Sequence, residues 1–257
     1  MRPYMFNGFA SVFGANLDEM EKTLNDYTTM NEFFIRKLKS GSRNIDKQDL
    51  VSPCDSRVMS FGVADSKILS VKGTYYSLEQ LLRGQDKAGF SELRKSLISN
   101  SENELYYITL YLAPGDYHRF HAPADFEVQR RRHIYGYMQG VFSWNLWRKS
   151  DVFATNERVV YSGSWKLGKI EYVAVAAFNV GDIKIGCDPK LETNLKDIGE
   201  NKFEDKEIKA LVGKGEEFGI FNAGSTIIMV FEAPKNLKWA VNEGDRLFVG
   251  NKLIELD

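Results

Sequence analysis

From Leu105 to the C-terminus the sequence is a succession of short apolar runs broken by Gly, Pro, Asn and Asp. "LYYITLYLA", "ERVVYS", "YVAVAAFNV", "GIFNAG", "TIIMVFEA" and "RLFVGNKLIEL" are dense in β-branched and aromatic residues, which suit a pleated, buried surface better than a helix. None approaches the roughly 20 apolar residues needed to cross a bilayer as a helix. A chain written this way has to build a sheet, and the remaining segments have to cover it.

The N-terminal part reads differently. Leu17, Met20, Leu24 and Tyr27 fall at helical spacing, with Asn16 placed to cap that helix. Thr29 and Glu32 form a capping box ahead of "FFIRKLK", and "SLEQLL" and "FSELRKSLI" read as two further short helices. No composition break or linker divides the chain and no internal repeat is found. The expected architecture is therefore one α+β domain over 1–257, a β-rich, barrel-like core with helices mainly from the N-terminal third. The barrel shape is suggested by the tail "NEGDRLFVGNKLIELD", which resembles the last strands of lipoyl-type carrier domains.

Charge narrows the function. A formal net charge of −1 gives no global attraction to nucleic acid or to an anionic membrane, so any such attraction must be local. Two cysteines, Cys54 and Cys187, exclude a disulfide framework and a four-thiolate metal site while leaving a single bridge open. The opening "MRPYMFNGFASVFGANLDEM" lacks the pattern of a secretory signal. Its Tyr4, Met5, Phe6, Phe9 and Phe13 suit a membrane surface or, more simply, the protein's own core.

Three stretches carry candidate chemistry. "LYLAPGDYHRFHAPADF" holds His118 and His121 just past a strand end, where Pro114-Gly115-Asp116 makes a turn. Pro114 and Pro123 bracket the pair and argue against a helix, and no third ligand is indicated, so a metal site is not expected. "SPCDSRVMSFG" places Asp55 in a turn at a strand start, and "NAGST" places Ser225 at the mouth of an apolar run. Asp, His and Ser are the parts of a nucleophile–base–orienter set, although a G-x-S-x-G elbow is missing.

Five motifs, "SPCDSRV", "KGTYYSLEQLL", "YHRFHAP", "FATNERVV" and "KGEEFGIFNAGST", resemble those of phosphatidylserine decarboxylases in order and spacing. The resemblance runs from "MNEFFIRKL" at Met30 to the end. It implies a self-processing enzyme that cuts its own backbone at Gly224–Ser225. The Ser225 hydroxyl would attack the Gly224 carbonyl, with His121 as base and Asp55 fixing its tautomer. The products would be a β subunit of residues 1–224 and an α subunit of residues 225–257, the latter beginning with a pyruvoyl group made from Ser225. That group forms a Schiff base with phosphatidylserine and releases carbon dioxide to give phosphatidylethanolamine. His118 is the candidate for proton handling in decarboxylation, with His121 the alternative.

The same resemblance implies a peripheral membrane location, Phe142 as a substrate contact, and no metal or nucleic-acid partner, and it leaves a homodimer open. "VQRRRHIYGYMQGVFSWNLWRKS" sets Arg130, Arg131 and Arg132 beside Phe142, Trp144 and Trp147, a composition suited to the lipid interface or to a solvated arginine face. Departures from the family pattern are Ser56 after the motif aspartate, Ala223 before the Gly-Ser pair, and Asp182 after the small-residue strand. Two other readings use the same residues. A serine hydrolase would leave the chain intact, and so would a non-catalytic lipid-binding barrel.

Overall fold

The computed structural model describes residues 2–69, 74–84, 86, 89–141, 149, 151–177, 182–195, 202–222 and 225–256, with Arg2 and Ser225 described by backbone alone. Among these, five helices occur: α1 (Arg2–Phe13), α2 (Met30–Phe34), α3 (Leu78–Arg83), α4 (Phe90–Leu97) and α5 (Val152–Thr155). The first strands are β1 (Ser56–Val63), β2 (Lys67–Leu69), β3 (Tyr75–Ser77), β4 (Asn103–Leu112), β5 (Arg119–His121) and β6 (Phe126–Ile134). They are followed by β7 (Arg158–Trp165), β8 (Gly168–Val175), β9 (Ile183–Ile185), β10 (Phe203–Val212) and β11 (Glu217–Phe221). The chain closes with β12 (Ser225–Pro234), β13 (Lys238–Trp239), β14 (Arg246–Leu247) and β15 (Ile254–Glu255).

Eight strands form one antiparallel sheet in the order β10-β6-β7-β8-β12-β4-β1-β14. The α+β expectation holds, but the sheet is not a closed barrel: β10 and β14 are its two edges and do not pair with each other. The strand β10 is rich in Lys and Glu and mostly exposed, the usual protection of an open edge. A second sheet, β5-β11-β9, stands apart and carries the histidine motif.

At the centre lies β12. It pairs with β4 from Ser225↔Leu112 to Pro234↔Asn103, and with β8 from Thr226↔Val175 to Phe231↔Ile170. Every side chain from Thr226 to Ala233 is buried. A strand covered on both faces reads as a continuous apolar run, which is why "TIIMVFEA" shows no alternation.

The N-terminal expectation needs correction. Residues 17–27 are not an α-helix; they hold a single 3-10 turn at Leu24–Asp26. Asn16 uses its side chain locally, accepting from Asp18 N at 3.0 Å, and Met20 bridges Leu38. The apolar spacing is real, but it serves a separate small cluster of Phe6, Ala10, Met20, Tyr27 and Phe33 against which Leu17 and Leu24 pack. Tertiary packing by α1 replaces the helix that the pattern suggested. Thr29 does cap α2, accepting from Glu32 N at 3.1 Å, while the Glu32 carboxylate turns to Thr28 instead.

The arginine stretch lies on β6, where a bulge between Val128 and Arg130 breaks the alternation. Arg130 is exposed, but Arg131 and Arg132 are 3% and 5% exposed. Arg131 pairs with Asp188 at 3.0 Å and with Glu204; Arg132 pairs with Asp205 and Asp86 and lies over the Phe203 ring. These two cations are neutralised inside the fold and are not part of a lipid-facing patch. Cys54 and Cys187 are free thiols.

Glu232, fully buried on β12, fastens the central strand to its surroundings. It accepts from Ser99 N (3.0 Å), Ser99 Oγ (2.7 Å), Asn100 N (2.8 Å), Asn103 Nδ2 (3.0 Å) and Lys169 N (3.0 Å). Gly168 makes room for it: a Cβ there would meet Glu232 Oε2 at 2.1 Å, and its φ of +143° also favours glycine. Burial works against the charged form, yet the donors outweigh it and hold the carboxyl below its ordinary value of 4.5. Its contribution is therefore complete above about pH 4.5 and is lost as pH falls through the lowered native value. Glu232→Gln should cost about 1–3 kcal/mol at neutral pH. Below about pH 4.5 its urea midpoint should fall less than that of the wild type.

Candidate active site

Leu112, the last residue of β4, stands opposite Ser225, the first residue of β12. Beyond Leu112 the chain turns through Ala113–Asp116, closed by Asp116 N to Ala113 O at 2.9 Å and by Ala113 N to Asp116 Oδ2 at 2.8 Å. Gly115 is obligatory in this turn because a Cβ would meet the Phe13 carbonyl oxygen at 2.0 Å. The C-terminal end of α1 thus presses directly on the turn that positions the histidines. Arg36, just past α2, is buried and donates to Gly115 O at 2.9 Å, locking the same turn from the other side.

The strand β5 then pairs with β11, His121 opposite Glu217 and Arg119 opposite Ile220, and Phe221 N bonds His118 O at 3.0 Å. The aspartate motif joins at the same place through His121 N to Pro53 O at 2.7 Å and Val51 N to Pro123 O at 2.9 Å. In ladder terms His118 stands beside Phe221, at the C-terminal end of β11, and His121 stands farther back beside Glu217. Gly224 and Phe142 lie outside the described residues, as does the Ser225 side chain.

Both imidazoles are anchored in the same way. His118 Nδ1 lies 2.9 Å from Asp116 O, and His121 Nδ1 lies 2.8 Å from Gly215 O. A carbonyl can only accept, so each Nδ1 carries the hydrogen and each Nε2 keeps its lone pair. Burial pushes the fully buried His118 down to about 3 and also lowers His121. Both rings are therefore neutral bases at physiological pH. His118 packs on Phe34 with ring centroids 4.0 Å apart, and its Nε2 is buried without a partner among the described residues. Two further buried polar atoms without partners, Asn222 Oδ1 and Thr226 Oγ1, flank residues 223–225.

His121 Nε2 is 3.3 Å from the Tyr117 hydroxyl, which burial keeps protonated and hence a donor. Asp55, 4% exposed, does not bond either histidine among the described residues. It is gripped by Arg43 at both carboxylate oxygens, Nε to Oδ1 at 2.9 Å, and Val249 N donates to Oδ1 at 2.9 Å. Burial opposes the Arg43 cation, but Asp55 and Glu19 hold it charged. The Asp55 charge still acts on His121 through space. The tautomer-fixing contact expected of Asp55 is made here by the Gly215 carbonyl. His133 lies elsewhere on β6, bonded to Glu157 at 2.8 Å.

Sequence reasoning missed Arg43, Arg36, Tyr117 and Gly215. Tyr117 has a visible cue, since it sits inside "YHRFHAP". The two arginines have none, because their partners come from distant segments.

An antiparallel α+β protein with two base-form histidines beyond the end of β4, and a serine opposite that end at the start of its central strand, matches a known class. The family model described as phosphatidylserine decarboxylase covers residues 30–255. A mitochondrial phosphatidylserine decarboxylase proenzyme of Caenorhabditis elegans is 38% identical, the alignment covering 99% of this chain and 66% of the relative. That of Rattus norvegicus is 35% identical, covering 98% and 67%, and the proenzyme of Plasmodium falciparum is 34% identical, covering 100% and 71%. The chain belongs to the phosphatidylserine decarboxylase family. It spans about two thirds of the length of these relatives.

A histidine whose native pKa is depressed opposes folding in acid, because the unfolded chain takes up a proton that the native one refuses. For His118 this loss of stability begins as pH falls below 6.5 and continues to about 3. His118→Asn should flatten the dependence of unfolding free energy on pH in that window, as read by urea titrations at several pH values.

Proposed function

We propose that this chain is a phosphatidylserine decarboxylase that matures by cutting itself at Gly224–Ser225. The observation that carries this reading is the place of Ser225. It opens β12 directly opposite Leu112, the residue from which the turn to His118 and His121 departs. Relatives named as proenzymes support a precursor that is processed.

In this reading the Ser225 hydroxyl attacks the Gly224 carbonyl carbon, the peptide C–N bond breaks, and an ester replaces the amide. His121 takes the hydroxyl proton on Nε2, with Nδ1 anchored on Gly215 and Tyr117 supporting the ring. Loss of the Ser225 Cα proton then expels the Gly224 carboxylate, and water replaces the freed nitrogen as ammonia, leaving a pyruvoyl end on residues 225–257. The unpartnered polar atoms of His118, Asn222 and Thr226 fit a site that holds a small carbonyl group. The pyruvoyl group supplies the electron-accepting carbonyl that pyridoxal phosphate supplies elsewhere. His118, neutral and with Nε2 free, is suited to return a proton to the carbon that loses carbon dioxide.

The lipid substrate would be met at a membrane surface through α1. From Pro3 to Phe13 this helix has no charged residue, and its outward face shows Tyr4, Met5 and Val12 at 82%, 61% and 76% exposure. Its inward face is apolar through Phe6 and Ala10, and its outward face mixes those apolar side chains with the uncharged Asn7 and Ser11, so no charge opposes contact with the interfacial zone. Among the described residues no helix is long and apolar enough to cross a membrane.

Intact mass of the purified protein should show two polypeptides, the smaller without a free amino terminus. Ser225→Ala should give one full-length chain and no release of the labelled carboxyl carbon from phosphatidylserine. His121→Ala should block cutting, whereas His118→Ala should cut and then fail to decarboxylate. An intact, esterase-active wild-type chain would favour a hydrolase instead. For docking, the Tyr4→Glu/Val12→Glu pair should sediment less with phosphatidylserine-containing vesicles while still being processed.

A further inference from the structure

A cavity of about 210 Å³ lies away from the histidines, between α3 and α4 on one side and the middle of β6, β7 and β8 on the other. That is an order of magnitude more room than the ~15 Å³ a single water requires. Arg83, Arg130 and Lys169 line it, facing one carboxylate, Glu171. The other arginines of this sheet region are paired with acids: Arg131 with Asp188 and Glu204, Arg132 with Asp86 and Asp205. Arg83, Arg130 and Lys169 enter no ion pair among the described residues. Arg83 Nη2 reaches only Ser96 Oγ at 3.4 Å, and Arg130 Nη2 only Ser162 Oγ at 3.5 Å. These contacts are long, and a hydroxyl neutralises nothing.

Glu171 is a single carboxylate against three cations and offsets one of them at most. It is 6% exposed and accepts from Ser162 Oγ at 2.6 Å, and burial raises its pKa. The Ser96 and Ser162 hydroxyls on the wall give their hydrogens to Leu93 O (2.7 Å) and Glu171 Oε2, so the donors left to face this concave space are the two guanidiniums and the ammonium. Two forked guanidiniums and one ammonium around a pocket are the usual means of holding a tetrahedral oxyanion. We propose that this cavity is a binding site for a phosphate group, separate from the Ser225 site and carried either by a soluble phosphate compound or by a lipid headgroup. The site does not depend on self-cleavage.

The test uses the full chain and inorganic phosphate, titrated calorimetrically at constant ionic strength. Saturable one-site binding is expected, weakened about tenfold or more in Arg130→Gln/Lys169→Gln. Glu171→Gln, which removes the opposing charge, should bind phosphate more tightly. A second arm measures adsorption to phosphatidylcholine vesicles with and without phosphatidic acid. Dependence of adsorption on Arg130 and Lys169, with competition by phosphate, identifies a lipid headgroup as the source. Phosphate binding without that dependence identifies a soluble compound. Absence of phosphate binding by the wild type, equal binding by the double variant, or weaker binding by Glu171→Gln would each overturn the site. Arg83→Gln provides the same reading if the double variant does not fold. Mass analysis reports self-cleavage independently, so failure here is distinct from failure of the decarboxylase reading.

Discussion

The double ladder on β12 is the constraint on which the rest of the molecule depends. This strand is hydrogen-bonded to β4 along its full length and to β8 over most of it, and it is buried on both faces. From Thr226 to Phe231 its backbone is paired with a strand on each side, so its first residue adjoins the most firmly held part of the fold. A reactive group placed there inherits that rigidity without help from a loop. The Glu232 carboxylate, at the other end of the strand, draws the α4–β4 connection and the start of β8 onto the same element.

The site is organised by carbonyls more than by charges. Asp116 O and Gly215 O orient the two imidazoles, while the nearby carboxylates are committed to arginines: Asp55 to Arg43, Asp116 to Arg246, and Glu217 to Arg119. Burial then keeps both rings neutral. An imidazole that is unprotonated and tautomerically fixed is the form that can take a proton. The α1 cluster reaches the same place, since Phe13 abuts Gly115 and Phe34 packs on His118. A helix that docks on a membrane would thereby touch the turn that leads to both histidines.

What the sequence disclosed follows from how local each determinant is. The strands β4, β8 and β12 are legible because full burial leaves uninterrupted apolar runs; α3 is legible through its Ser77 cap and α4 through the helical spacing of Phe90, Leu93 and Leu97. The strand β6 was hidden by Arg130, Arg131 and Arg132, which read as surface until Asp188, Glu204 and Asp205 arrive from far along the chain. Residues 17–27 show helical spacing, but α1 supplies the apolar partners that an isolated helix would otherwise need. Barrel closure depends on which strands end the sheet, and no short motif encodes that. The histidine motif marked its own location, whereas the hold of Arg43 on Asp55 lies in tertiary geometry alone.

The segment after Gly224 contributes both the middle strand of the main sheet and, through β14 beside β1, its far edge. Its β13 and β15 pair with each other, and Ser52 and Leu50 bond back to Asn251 and Leu253. Were the backbone severed before Ser225, the small polypeptide would be woven through the large one instead of resting on it. In the continuous chain the sheet would form by ordinary folding. Maturation would then be a one-way door: the cut molecule keeps a shape that its separated pieces no longer have the covalent instructions to regain.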